Sequence, residues 1–189
     1  MTAQIGNKYK YMGREYTFVR ATASPSFSPR EYGLEPDMAC TACWSGYWCV
    51  YSVTEEGLFV EELYVHDRRE IYPPIGGVEP FPGDYMGHRR YKGLHLKSDY
   101  TGKLLLGDDF LHEYYVHMGY QYPWAFKSLM EFVFEGGRLV ETNDLSCVVD
   151  ELRTEMKETP AFAKKVRGLR PFAIGEKYSE GLGEAFWWL

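Results

Sequence analysis

Tyrosine is as frequent as leucine in this chain of 189 residues, and this aromatic content is the feature that most restricts the fold. There are 16 tyrosines, and Tyr, Phe and Trp together make up 17% of the sequence. Aromatic side chains bury large apolar areas, but the Tyr hydroxyl and the Trp indole N–H each need a polar partner. We therefore expect either a stiff aromatic core with hydrogen-bonded polar tips or an aromatic surface that binds a partner.

Length and charge indicate one globular domain that does not bind nucleic acid. A chain with 45% hydrophobic and 25% charged residues can bury a substantial core as a single domain over residues 1–189. The net charge is −6, whereas a phosphate backbone is bound by an excess of Lys and Arg. Nucleic acid is therefore not expected as a partner, and the sequence leaves the oligomeric state open.

Three features favour a cytoplasmic protein that has no contact with a membrane. The N-terminal residues lack the apolar region of a signal peptide. No apolar run approaches the roughly 20 residues that a spanning helix needs. Four cysteines without a secretory signal are typical of free thiols in a reducing compartment.

Three pairs of β-prone segments predict β-hairpins. The first pair, 45–53 and 58–65, flanks Gly57, and glycine tolerates the positive φ angle of tight turns. A second pair flanks Gly136 and Gly137 with a similar layout, which fits either a duplicated hairpin unit or the shared chemistry of turns. The third hairpin is predicted from the segments 91–96 and 102–106 and a turn at 98–101.

Two amphipathic patterns predict α-helices. Apolar side chains recur with helical spacing over 108–118, where Asp108 or Asp109 can cap the free N–H groups of the first turn. A second helix is predicted over 144–157, and a short one follows over 160–168, opened by a proline.

Together these elements predict an α+β domain whose sheet is mainly antiparallel, is built from β-hairpins and is accompanied by two to four helices. The C-terminal part, 144–189, is expected to be helical and to pack on the sheet. Residues 67–93 are expected to form a long loop, because they are rich in glycine and in proline, which lacks the hydrogen-bond donor of a central strand.

Two clusters of residues are candidate binding surfaces. The first ends the Pro/Gly-rich loop, where arginine suits carboxylate or phosphate partners and aromatic rings suit stacking. The second has three aromatic side chains around a proline, a composition found at interface hot spots. Each cluster also fits a structural role, as a solvated loop or as part of the core. The candidate binding residues are Tyr85, His88, Arg89, Arg90 and Tyr91 in the first cluster and Tyr120, Tyr122 and Trp124 in the second.

A row of carboxylates and an imidazole is a candidate for catalysis. Asp109, Glu113 and His117 recur every four residues and would share one face of the predicted helix. They could act as general acid and base or bind a metal ion, with Arg89 and Arg90 holding an anionic substrate. A capping acid followed by a polar helix face is the plainer interpretation.

Cys40 and Cys43 have the C-x-x-C spacing of a zinc knuckle or a redox pair. A structural zinc site usually needs a second close pair of ligands, and Cys49 and Cys147 lie far apart in the sequence. A redox pair is expected between a strand and a helix, whereas the residues from Trp44 onward are typical of a strand. Buried structural cysteines are therefore the favoured interpretation, and no metal or cofactor is expected.

The sequence thus favours a protein that binds without catalytic turnover, such as an inhibitor, an immunity-type protein or a regulatory adaptor, with another protein as its partner. The alternative is a small hydrolase or transferase that acts on an anionic substrate through Asp109, Glu113 and His117. No glycine-rich phosphate loop, G-x-S-x-G elbow or H-E-x-x-H box supports that alternative.

Overall fold

The computed structural model describes residues 4–23, 27–83, 88–117 and 120–161. This part of the chain contains nine strands, one α-helix and three short 3₁₀ helices. The strands are β1 (Lys8–Tyr11), β2 (Arg14–Ala21), β3 (Tyr47–Thr54), β4 (Gly57–Val65), β5 (Phe81–Pro82), β6 (Arg89–Lys97), β7 (Gly102–Phe110), β8 (Phe126–Glu135) and β9 (Arg138–Asp144). The helix α1 covers Ser146–Glu158, and the 3₁₀ helices cover Pro29–Tyr32, His112–Tyr114 and Pro123–Ala125.

The nine strands form one mixed sheet in the order β5-β6-β4-β3-β1-β2-β7-β8-β9. β1 runs parallel to β3, and the other neighbouring strands are antiparallel. The predicted fold class, a mainly antiparallel hairpin sheet with two to four helices, is therefore wrong: the sheet is mixed, and the described residues contain a single α-helix. The parallel pair arises because the N-terminal hairpin of β1 and β2 is inserted between β3 and β7.

Two of the three predicted hairpins are confirmed. β3 and β4 pair across the turn at Gly57, with Thr54 opposite Gly57 and Val53 opposite Leu58. β8 and β9 pair in the same way across Gly136 and Gly137. Both turns contain glycines with positive φ, as the sequence signal requires.

The third predicted hairpin is wrong, although both of its segments are strands. β6 pairs with β4 and β5, whereas β7 pairs with β2 and β8. The short connection from β6 to β7 instead forms hydrogen bonds with residues at the β3–β4 turn and at the β8–β9 turn. Ser98 N–H donates to the carbonyl of Leu58, and the carbonyl of Tyr100 accepts from Gly137 N–H.

The sheet curves so strongly that the β3–β4 turn lies against the β8–β9 turn. A Cβ atom at Gly57 would collide with the carbonyl oxygen of Gly137, and one at Gly137 would collide with the carbonyl oxygen of Ser98. These strands are far apart in the sheet order, so their turns can meet only if the sheet curls. Glycine is required at both positions because no side chain fits between Gly57 and Gly137 or between Gly137 and Ser98.

The molecule has two apolar clusters, one on each face of the curved sheet, here called the inner cluster and the outer cluster. Leu104 and Leu106 point into the inner cluster together with the tyrosines of β1 and β3, while Leu105 points to the outer face. On the outer face, Val149, Leu152 and Met156 of α1 pack over β8 and the Pro123–Ala125 turn. The helix predicted at 144–157 is confirmed, and Asp144 accepts a hydrogen bond from Ser146 N–H at its start.

The helix predicted over 108–118 is wrong. β7 continues to Phe110, with Asp108 opposite Ser128 and Phe110 opposite Phe126 on β8. Only a single 3₁₀ turn, His112–Tyr114, follows. Strand pairing with β8 satisfies the backbone of β7, and this tertiary contact overrides the local helical spacing of the aromatic residues.

The predicted 67–93 loop and the predicted C-terminal helix are only partly covered by the described residues. Among the described residues of the predicted 67–93 loop, the two-residue edge strand β5 and the first residues of β6 are extended. The predicted 160–168 helix and the terminal segment lie, from residue 162 onward, outside the described residues. No helix in the described part of the chain is long and apolar enough to cross a membrane.

Candidate binding site

The first predicted cluster lies on β6 and is largely occupied by contacts within the protein. His88 and Tyr91 are buried, and Tyr85 lies outside the described residues. The Tyr91 hydroxyl donates to the carbonyl of Pro73 at 2.8 Å, and burial raises the pKa of Tyr91 to about 12. Arg90 is the centre of the remaining contacts.

Arg90 belongs to a row of side chains that crosses four strands, here called the Arg90 patch. Trp48, Tyr64, Arg90 and Phe81 are successive partners on β3, β4, β6 and β5. The Trp48 and Tyr64 rings stack with centroids 3.7 Å apart. The Arg90 guanidinium lies 5.0 Å from the Tyr64 ring centroid and 5.7 Å from that of Phe81. Cation–π attraction thus joins the row.

A buried carboxylate completes this patch. Glu62 is 7% exposed, and its Oε2 accepts hydrogen bonds from Arg90 Nη2 at 2.6 Å and Nε at 3.0 Å. The Tyr64 hydroxyl donates to the same oxygen at 3.2 Å. Charge-assisted hydrogen bonds of this kind are strong. An anionic ligand could engage Arg90 only by competing with the protein's own Glu62.

The second predicted cluster divides between the core and the surface. Trp124 is 4% exposed, stacks on Tyr122 at 4.4 Å between ring centroids, and packs in the outer cluster beneath α1. Arg153 of α1 donates to the carbonyl of Phe126 at 2.7 Å and fixes this region from the helix side. Trp124 therefore has the core role that the sequence left open, while Tyr120 lines a concave surface.

That concave surface, here called the aromatic cleft, has a volume of about 250 Å³. Its lining is mostly apolar. Tyr115 is 50% exposed and Tyr120 is 42% exposed, so two large aromatic side chains face solvent at its mouth. The lining residues are Gln4, Gly6, Thr17, Phe18, Phe110, Tyr115, Tyr120, Gln121 and Phe126.

The glycine at position 107 allows an aromatic ring to form one wall of the cleft. A Cβ atom at Gly107 would overlap the Phe126 ring, which therefore lies directly on the β7 backbone. A Cβ atom at Gly6 would lie 3.5 Å from Tyr120 Cε1. The Tyr120 ring meets Phe18 edge to face with centroids 5.0 Å apart, an arrangement that aromatic pairs prefer.

The wall that carries the two exposed tyrosines is held by one glutamine. The Gln121 Nε2 donates to the carbonyl of Val116, and its Oε1 accepts from Val116 N–H, both at 2.9 Å. This pair of hydrogen bonds joins the residue after Tyr115 to the residue after Tyr120. The backbone that carries the two tyrosines is therefore fixed within the protein itself.

Acidic residues lie close in the chain to two lining residues of the cleft. Asp109 precedes the lining residue Phe110, is exposed and has φ of 55°; Glu113 is exposed two residues before Tyr115. Arg14 forms an ion pair with Asp108 at 2.6 Å and lies 3.9 Å from Asp109. The hydrogen bond to Asp108 raises the pKa of Arg14. Three carboxylates, those of Asp108, Asp109 and Glu113, thus stand in the chain segments that carry Phe110 and Tyr115, here called the rim of the cleft.

The catalytic row expected on a helix does not form as such. Asp109 belongs to β7, Glu113 to the 3₁₀ turn, and His117 to the loop that follows, where its ring lies 6.4 Å from Tyr115. Arg89 and Arg90 are on β6, and four strands lie between β6 and β7 in the sheet order. Among the described residues, no three His, Cys, Asp or Glu side chains are grouped so that they could hold a metal ion.

A second concavity of about 350 Å³ lies near the connection from β6 to β7. Its wall includes Glu31, Lys97 and Asp99 together with the stacked rings of Phe27 and Tyr32. Charges of both signs and a polar lining give it no clear preference for one class of ligand. The aromatic cleft is therefore the better candidate site.

Sequence reasoning identified Tyr120 but missed most of the cleft. Phe18, Phe110 and Phe126 come from three strands, and Tyr115 lies in the segment 108–118, where the predicted helix does not form. In the structure, the Phe126 ring of the cleft lies directly on Gly107. No local pattern shows which aromatic ring a given glycine will face.

Comparisons with protein-family models, with curated proteins and with solved structures found no match. Function must therefore be inferred from the geometry of the cleft and its rim.

Proposed function

We propose that this protein acts by binding another protein, as an inhibitor, an immunity-type protein or a regulatory adaptor, without catalytic turnover and in the cytoplasm. The aromatic cleft receives one apolar or aromatic side chain of that partner. The observation that carries the proposal is the pair of half-exposed tyrosines, Tyr115 and Tyr120, at the mouth of an apolar concavity. Four cysteines without a disulfide support the reducing compartment.

The size and chemistry of the cleft favour a side chain over a metabolite. Pockets for drug-sized ligands are typically about 300–1,000 Å³ and place several polar groups toward the ligand. The cleft is smaller, at about 250 Å³, and its polar lining residues are Gln4, Thr17 and Gln121. Tyrosine is enriched at interface hot spots because it offers a rigid apolar face and one polar tip.

The rim supports a partner with a basic residue beside its apolar anchor. Asp109 and Glu113 are exposed and lie within two residues of the lining residues Phe110 and Tyr115, and Arg14 is already paired with Asp108. Complementary charges increase the rate of association and select among partners. The net charge of −6 acts in the same direction. Such binding should weaken as salt screens the charges.

The proposal can be tested with a displayed library of random peptides. The library is selected on the full-length protein after depletion on the double variant Tyr115→Ser/Tyr120→Ser. We expect enriched peptides with an aromatic or large aliphatic residue next to Lys or Arg, and these peptides should bind the double variant at least about tenfold more weakly. Peptides that bind both proteins equally, or no enrichment at all, would contradict the proposal.

Phe81→Ser is the matched control, because Phe81 is an exposed aromatic residue of the Arg90 patch. Its removal should leave peptide affinity unchanged. A loss of affinity in this variant together with normal binding by the cleft variant would place the binding surface on the opposite half of the sheet.

The hydrolase or transferase alternative has no comparable support among the described residues. It needs Arg89 or Arg90 close to Asp109, Glu113 and His117, and four strands separate β6 from β7 in the sheet. Each of the three residues is exposed. The described contacts therefore do not favour it as a second candidate function.

A further inference from the structure

Cys40 and Cys43 lie at the two ends of one tight turn. The Cys43 N–H donates to the Cys40 carbonyl at 3.0 Å, and the two residues pair as an isolated antiparallel bridge. Both are free thiols. In a turn of this type the first and fourth Cα atoms are less than about 7 Å apart, which overlaps the range of about 4.4–6.8 Å found for disulfides.

The N-terminal segment holds this turn in place. Ile5 N–H donates to the carbonyl of Ala42 at 2.7 Å. The Gln4 side chain donates to the carbonyl of Thr41 at 2.9 Å and accepts from Trp44 N–H at 3.2 Å. These bonds fix the backbone on both sides of the turn. The two cysteines therefore stay close together without any rearrangement of the sheet.

The two thiols differ in exposure. Cys40 is partly exposed, whereas Cys43 is 2% exposed, and burial raises the pKa of the Cys43 thiol. A small oxidant in solution can therefore reach Cys40 more easily than Cys43. This asymmetry is typical of pairs in which one thiol attacks and the other resolves the mixed disulfide.

We propose that Cys40 and Cys43 form a reversible disulfide by exchange with a low-molecular-weight disulfide such as glutathione disulfide. The Cys40 thiolate attacks one sulfur, the glutathione S–S bond breaks, and one glutathione leaves as thiolate. Cys43 then loses its proton to solvent and attacks the Cys40 sulfur, and the second glutathione leaves. Two protein thiols are oxidised, and one glutathione disulfide is reduced to two thiols. The proposal does not rest on the function proposed for the cleft, although Gln4 both holds this turn and lines the cleft.

The remaining cysteines provide internal references. Cys147 is exposed at the start of α1, and Cys49 is fully buried in the inner cluster. A lone exposed thiol can form only a mixed disulfide with glutathione, and a fully buried thiol is protected from it. The outcome at Cys40 and Cys43 can therefore be distinguished from general oxidation within one sample.

The test is to equilibrate the full-length protein in glutathione buffers of increasing disulfide content and then to trap free thiols with N-ethylmaleimide. Intact mass and peptide mapping should show a species lighter by two hydrogen atoms, with a bond between Cys40 and Cys43 that thiol reductants reverse. The proposal is overturned if these residues remain thiols when Cys147 is glutathionylated, or if Cys40 stops at the mixed disulfide.

A variant that lacks the resolving thiol sharpens the test. In Cys43→Ser, and in Cys43→Ala as a second choice if the serine variant is unstable, Cys40 should accumulate the glutathione mixed disulfide about tenfold over the unaltered protein. Equal amounts of mixed disulfide in the variant and the unaltered protein would contradict a resolving role for Cys43.

Discussion

The Arg90 patch and the aromatic cleft are built from similar aromatic side chains but differ in what those side chains contact. In the patch, Arg90 lies over Tyr64 and Phe81 and is hydrogen-bonded to Glu62, so the row is closed by the protein's own groups. In the cleft, Tyr115 and Tyr120 remain half exposed around an apolar concavity. Proximity of aromatic and cationic residues in a sequence therefore does not identify a binding surface; the neighbouring strands decide it.

Strand register explains the difference. Trp48, Tyr64, Arg90 and Phe81 are direct cross-strand partners, and such pairs interact because their side chains stand on the same face of the sheet. The cleft is instead formed where β7 ends and the loop to β8 begins. Loops position side chains without a continuous row of neighbours, and binding residues are frequently found there.

The largest effect is expected for Trp124, the residue of the second predicted cluster that is buried beneath α1. Trp124→Ala should lower the free energy of unfolding by about 3–5 kcal/mol, because the residue is buried and stacked on Tyr122. Denaturant unfolding measures the change, with Trp44→Ala as the control because Trp44 is exposed. A loss below about 1 kcal/mol would show that Trp124 is a surface residue after all.

Arg90→Ala should have the next largest effect, because it leaves the Glu62 carboxylate buried without its partner. Breaking a fully buried ion pair costs about 3–5 kcal/mol, and the partial exposure of Arg90 reduces the expected loss to about 2–3 kcal/mol. The double variant Glu62→Gln/Arg90→Ala should recover part of this loss. Arg68→Ala is the control because Arg68 is exposed. Equally small losses of unfolding free energy in Arg68→Ala and Arg90→Ala would mean that the Arg90 patch is not closed by the protein's own groups.

We expect Asp67 to make the stability of the half of the sheet that contains the Arg90 patch sensitive to acid. Burial acts to raise the pKa of Asp67, but hydrogen bonds from Glu35 N–H at 2.6 Å and from Arg69 hold it below its usual value. Its contribution is complete above the unfolded pKa of about 4 and is lost as the pH falls through the lower folded pKa.

Asp67→Asn should therefore cost about 1–2 kcal/mol at neutral pH and flatten the dependence of unfolding free energy on pH in the acid range. Urea unfolding at a series of pH values measures both quantities. Parallel pH profiles for the variant and the unaltered protein would show that Asp67 does not contribute through its charge.

The smallest stability effect is expected at the cleft. Tyr115→Ser and Tyr120→Ser should each cost only about 0.5–1 kcal/mol, because half of each side chain is exposed in the folded protein. Thermal or denaturant unfolding measures this. A loss of unfolding free energy as large as that of Trp124→Ala would identify the two tyrosines as core residues. Their partial exposure would then not indicate a binding surface.

Local sequence patterns predict where the strands and the helix of this fold lie better than they predict which strands pair. The hairpins at Gly57 and at Gly136–Gly137 and the helix from Ser146 follow from turn and amphipathic signals. The separation of β6 from β7 depends on the distant contact of two turns, which no local signal contains. Leu104, Leu105 and Leu106 are buried on both faces of the sheet, so the alternation that marks a half-buried strand is absent there.

The same limit applies to the candidate site. Tyr120 could be proposed from the aromatic residues around Pro123, since that composition is typical of interfaces. The rest of the cleft joins Phe18, Phe110 and Phe126 from separate strands, and only the fold brings them together. Arg90 was an equally reasonable candidate until its contact with Glu62 was known.

The most direct test of the central claim is NMR shift mapping with N-acetyl-tryptophanamide, a small aromatic amide, titrated into the isotopically labelled full-length protein. If the cleft is the open aromatic surface, saturable shifts should concentrate at the amides of Thr17, Phe18 and Gln121, and Tyr115→Ser/Tyr120→Ser should abolish them. Shifts centred on Trp48, Tyr64 and Arg90 instead, or no saturable shift anywhere, would contradict the account.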